Sequence, residues 1–97
     1  MKYGIVIRHK SAEFLNDLDE KSRRIITARL AMLKDDPFPG KGGDKELLKS
    51  PNSRQEEHVY RLHIGRRFPA FYVVLDTTVD ITEVMTIEQA HKKYGTL

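Results

Sequence analysis

Arg61 and His63 lie two residues apart in an apolar run, and His91-Lys92-Lys93-Tyr94 lies near the C-terminal end. Between them stand Arg66, Arg67 and Tyr72. This set suits metal-free cleavage of RNA. Attack by a 2′-hydroxyl on its neighbouring phosphate needs a base for the hydroxyl proton. It also needs a cation for the charge that grows on phosphorus oxygens, and an acid for the departing oxygen. Imidazole titrates near working pH, so His63 or His91 can be base or acid. Arg61, with Arg66 or Arg67, can grip a phosphate through two parallel N–H donors. Tyr72 or Tyr94 can stack on a base or donate a proton. Each residue also has a plainer role. Tyr72 fits a core, Arg66 and Arg67 fit any turn, and His91 and Lys92 fit the dipole at a helix end.

The stretch His58–Leu75, HVYRLHIGRRFPAFYVVL, must position most of these groups. It reads as two strands joined at Gly65-Arg66-Arg67. Alternation puts Tyr60, Leu62 and Ile64 on one side, and Val59, Arg61 and His63 on a side that need not be buried. Phe68–Leu75 is apolar on both faces except at Tyr72, which predicts the central strand of a sheet.

Upstream, Tyr3–Arg8 predicts a short first strand. Ser11 predicts an N-cap with Glu13 in the first turn, and Phe14, Leu15 and Leu18 recur at helical spacing. Asp19 predicts the cap of a second helix reaching about Lys34. Its stripe is Ile26, Leu30 and Leu33, widened by Ile25, Ala28 and Met32. Residues 35–57 read as a long irregular loop, with one helical turn over Lys45–Lys49 docking Leu47 and Leu48. After a turn at Asp76-Thr77-Thr78, a last strand carries Val79, Ile81, Met85 and Ile87. A short helix then runs from Ile87 to Tyr94, with Glu88 and Lys92 one turn apart. Short links between consecutive strands predict antiparallel pairing. The fold class is α+β: a small antiparallel sheet on an N-terminal two-helix hairpin, with a short C-terminal helix.

The 97 residues suit one domain, 1–97, that is 39% hydrophobic and 32% charged. No apolar run approaches a membrane span. Absence of Cys removes disulfide and thiolate chemistry, and the four isolated histidines specify no metal site. The formal charge of +3 is a modest pointer to a nucleic-acid partner.

The chain resembles the RelE/ParE superfamily of toxin–antitoxin toxins over nearly its whole length. Val59-Tyr60-Arg61-Leu62-His63-Ile64-Gly65 is similar to the family's Tyr–basic–apolar–basic–apolar–Gly strand. Phe71-Tyr72-Val73-Val74 is similar to its following aromatic strand, and Lys45-Glu46-Leu47 falls in its basic loop. The RelE-like branch fits better than ParE. That resemblance implies a cytoplasmic endoribonuclease, with no cofactor, that cuts messenger RNA in the ribosomal A site. It also implies a small cognate antitoxin wrapped around the toxin.

By position, the resemblance implies catalytic roles for Arg61, His63, and His91 or Tyr94. RNA contacts are expected at Lys45, Arg66, Arg67, Tyr72, Lys92 and Lys93. Two departures stand out. Phe68-Pro69-Ala70 occupies the place of a family arginine, so Arg66 or Arg67 must substitute from the turn. Thr86-Ile87-Glu88-Gln89 stands where a basic pair is common. This thinner cation set leaves a second expectation, a non-catalytic binding protein of the same fold that acts on the ribosome or pairs with an antitoxin.

Overall fold

The computed structural model describes residues 2–40, 42–48 and 58–95. The chain forms β1 (Gly4–Ile7), α1 (His9–Asn16), α2 (Glu20–Ala31), a 3₁₀ turn (Met32–Lys34), β2 (Lys45–Leu48), β3 (Val59–Ile64), β4 (Phe68–Leu75), β5 (Thr78–Val84) and α3 (Ile87–Tyr94). The strands build one sheet in the order β1-β5-β4-β3-β2, so β4 is central, as its two-sided apolarity requires.

Two features of the sheet depart from the sequence expectation. The β2–β3, β3–β4 and β4–β5 pairs are antiparallel, but β1 joins β5 in parallel, which makes the sheet mixed. Lys45–Leu48 is an edge strand and not a helical turn, because Leu47 and Leu48 find partners at Tyr60 and Val59. Lys41 and residues 49–57 of the expected loop lie outside the described residues.

The helical hairpin covers one face. Leu15 of α1, Ile26 and Leu30 of α2, and Leu33 just beyond it meet Tyr60, Leu62, Ile64, Ala70, Tyr72, Val79 and Ile81. Asp19 caps α2, its carboxylate accepting from Ser22 N–H at 3.0 Å. Ser11 is not a cap: α1 begins at His9, and Ser11 is buried within it. The predicted stripe of α2 is also narrower than expected. Ile25 and Met32 remain 49% and 59% exposed, because a helix on a flat sheet buries only its inner arc.

One extra residue in β5 decides what lies on the other face. Phe71 pairs with Glu83 but Tyr72 pairs with Ile81, so Thr82 is bulged, and its hydroxyl donates to Phe71 O at 3.1 Å. The bulge reverses the alternation, placing Val84 with the helix-side core. It therefore ends the simple alternation expected through Met85 and Ile87. Met85 instead joins Phe71 and Ala90 of α3 in a second, smaller core, with Val59 and Leu48 packed against it. α3 starts on a capping box between Thr86 and Gln89. Gly65, at φ +61°, permits the tight β3–β4 turn.

An aromatic row closes the helix-side core. Tyr60 stacks on Tyr72 with centroids 5.4 Å apart, Phe38 meets Tyr60 edge-on, and Tyr3 meets Phe38. The buried Tyr72 hydroxyl donates to Pro37 O at 2.6 Å, and burial raises its pKa far above the phenol range. Tyr72→Phe should cost about 1 kcal/mol, since a buried carbonyl loses its donor. Urea unfolding of both proteins measures this, and an unchanged midpoint would show the bond contributes nothing.

Candidate functional site

Strand register builds the site. β2 and β3 run antiparallel with Glu46 opposite Arg61, so their side chains share one face of the sheet, and His63 lies one step along the same face. One oxygen of Glu46, Oε2, is 2.7 Å from Arg61 Nη2 and 2.7 Å from His63 Nε2. The Arg61 side chain is only 6% exposed, whereas those of His63 and Glu46 are 39% and 44% exposed. Arg61, expected on a side that need not be buried, is thus buried there. Phe71, opposite it on β4, and the nearby α3 give that face a core of its own.

Burial of a guanidinium demands a nearby anion, and Glu46 supplies it. The hydrogen bond from Arg61, then that from His63, holds the Glu46 carboxyl below the usual carboxylate range, against a smaller desolvation effect. An ionised carboxylate only accepts, so His63 Nε2 carries the proton in this contact. The neutral ring then has Nδ1 as its acceptor. Arg61 Nε is buried with no hydrogen-bond partner among the described residues. The result is a chain, Arg61 to Glu46 to His63, with only the imidazole end well placed for proton transfer.

The other predicted residues scatter. His91 and Lys92 are exposed on α3, which covers the face through Ala90. Lys93 is held by Glu83 across from β5. The backbone of Tyr94 ends α3, and its side chain lies outside the described ones. Tyr72 is fully buried and offers no face to a base, contrary to an RNA contact there. Lys45 pairs in register with Leu62, so it points to the helix side, beside Asp44 at 3.4 Å. Asp44 is also bound by Arg29 at 2.6 Å. Arg66 is exposed at the turn, while Arg67 lies over the Phe68 ring, 5.6 Å from its centroid. Arg61 and His63 therefore come together, but Lys45 and Arg67 face away from them.

No family model matches the sequence, and no curated protein matches it. Solved structures do match the fold. The archaeal RelE–RelB complex from Pyrococcus horikoshii contains a chain that superposes with a TM-score of 0.71 at 20% identity. That match covers 89% of this chain and 96% of the other. The toxin–antitoxin complex RelBE2 from Mycobacterium tuberculosis gives 0.67 at 17% identity, covering 89% and 99%. The YoeB dimer from Staphylococcus aureus gives 0.63 at 19% identity, covering 86% and 94%.

The fold is RelE-like. Within this RelE-like chain, the helical hairpin backs the sheet and the Arg61–Glu46–His63 chain lies on the other face. Glu46 is the residue that chemistry-first reading of the sequence passes over. Its signal is positional, since only the β2–β3 register brings it to Arg61.

Because its folded pKa is depressed, Glu46 adds stability above its unfolded pKa of about 4.3, and that stability is lost as pH falls through the folded value. Glu46→Gln should flatten this acid dependence and cost about 1–3 kcal/mol at pH 7, by leaving Arg61 without an anion. Urea melts between pH 3 and pH 7 measure both effects. Identical curves for the two proteins would mean that Arg61 does not need Glu46.

Proposed function

We propose that this protein is the toxin of a toxin–antitoxin pair and cuts messenger RNA on the ribosome by metal-independent transesterification. The observation that carries the proposal is the Glu46-held imidazole of His63, backed by buried Arg61. A carboxylate that fixes one ring nitrogen as donor leaves the other to take a proton, and it stabilises the imidazolium that results. His63 Nδ1 takes the 2′-hydroxyl proton and the 2′-oxygen attacks phosphorus. The bond to the 5′-oxygen breaks, and that oxygen takes a proton from an acid. The products are a 2′,3′-cyclic phosphate and a 5′-hydroxyl. His91, exposed on α3, is the candidate acid, and Lys92 a candidate for phosphate charge.

In this reading Arg61 is a positioning residue and not the phosphate clamp that its spacing suggests, since it is buried and bound to Glu46. With few groups to orient RNA, the site depends on the ribosome to deliver the substrate in line. Free RNA is accordingly a poor substrate.

The RelBE2 neighbour is a toxin–antitoxin complex and the archaeal RelE neighbour is a complex with RelB, which supports an antitoxin partner here. Among the described residues, no helix is long and apolar enough to cross a membrane, and the proposed site of action is the cytoplasm. On the helical hairpin, Ile25 and Met32 are the exposed apolar residues that an amphipathic antitoxin helix would cover. Amide exchange along α2 should slow in such a complex. Unchanged exchange there would exclude this surface.

The burial of Arg61 also favours a second reading, in which the chain binds its target without cutting. Mapping messenger-RNA 5′ ends in cells expressing wild type, His63→Ala or Glu46→Gln separates the two. Cleavage predicts codon-phased ends with wild type, at least tenfold fewer with His63→Ala, and an intermediate loss with Glu46→Gln. Circular dichroism confirms that each variant is folded. Growth arrest without new ends would replace catalysis by binding, and equal cleavage by wild type and His63→Ala would remove His63 from the site.

A further inference from the structure

Arg67 belongs to the hairpin that holds His63, yet its guanidinium serves the opposite face. Together with Lys21 it rims a cleft of about 230 Å³ between the start of α2 and the β3–β4 turn. The floor is apolar: Ile64 and Phe68 are buried, and Ile25 is half exposed. Phe68 takes one side of the Arg67 guanidinium, with 5.6 Å between its centre and the ring centroid. Asp19 also lines the cleft, with its carboxylate engaged by Ser22 N–H at 3.0 Å. Arg66 adds a further exposed cation at the turn.

We propose that this cleft is a nucleotide subsite for single-stranded RNA, with a base on the apolar floor and the adjoining phosphate on Lys21 and Arg67. The inference rests on the RNA reading above and extends it to the other face of the hairpin. Small for a whole ligand, the cleft suits one planar ring system. Its cations suit a phosphate, and a planar guanidinium is also a stacking partner for a base. Asp19 supplies a carboxylate that can accept a hydrogen bond from the amino edge of a base. Continuity with the proposed catalytic site comes from register: Ile64 pairs with Phe68, next to the pair of His63 with Pro69. An RNA strand passing around the Gly65–Arg67 turn meets both faces.

The test uses 2′-O-methylated penta-adenylate and penta-uridylate, which lack the attacking hydroxyl and remain intact. Amide shifts of the full-length protein are followed at Ser22, Ile64 and Phe68 for the cleft, and at Glu46 and His63 for the sheet face. The expected result is saturable shifts at both places. In Lys21→Glu/Arg67→Glu the cleft shifts disappear and the sheet-face shifts persist. The slope of log affinity against log salt falls by about 0.7, for the one phosphate held on a single strand. Lys21→Gln/Arg67→Gln should reproduce the loss without adding carboxylates, and its melting temperature reports the fold.

Shifts confined to Glu46 and His63 would overturn the subsite while leaving the RNA reading in place. No shifts at either face would overturn both. Displacement of the oligonucleotide from the cleft by penta-glutamate at equal concentration would overturn the nucleotide assignment in favour of an acidic protein segment.

Discussion

The β2–β3 pairing determines what this molecule can do. A guanidinium buried on the second face of the sheet would be a severe defect without an anion. The four residues of β2 bring that anion into place through register alone, with Glu46 opposite Arg61. The same carboxylate oxygen then orients His63. An interaction that makes burial of Arg61 tolerable is therefore also what fixes the tautomer of the proposed base. Slippage of β2 by one residue would turn Glu46 to the helix side and dissolve both effects at once.

Structure and chemistry are divided between the two faces of the sheet. The helix side holds the larger core, with Tyr72 and the aromatic row sealing it. The opposite side holds a thin core of Phe71, Met85 and Ala90, and around it stand the groups that face solvent. This division explains why the basic residues do not converge as their spacing in the chain suggests. Lys45 and Glu46 are adjacent in sequence but point to opposite faces, and the turn after His63 sends Arg67 to the helix side. Residues drawn together in a sequence motif are separated by the pleat.

Much of the fold was legible because its signals are local. Period-2 alternation around Gly65 marked the hairpin, Asp19 marked the start of α2, and two-sided apolarity marked β4 as central. What escaped reading depends on distant partners. Lys45–Leu48 has no clean alternation and becomes a strand only beside β3. The Thr82 bulge is a property of pairing, invisible in β5 itself. The site was half legible: Arg61 and His63 were marked by type and spacing, whereas burial of Arg61 and the role of Glu46 follow from packing on the second face. Ile25 and Met32 were misplaced because apolar spacing reports a possible stripe, not the arc that a neighbouring sheet covers.

The parallel contact of β1 with β5 sets the order in which the molecule can be completed. Gly4 pairs with Thr78 and Ile7 with Ile81, so among the described strands the earliest in the chain is matched to the latest. Closing so long a loop carries a large entropic cost and raises the contact order. A nascent chain lacking β5 has no seat for β1 and no cover for much of its hydrophobic interior. The sheet thus closes only once β5 is in place. The strand that comes earliest in the described chain is therefore among the last parts of the sheet to be fixed.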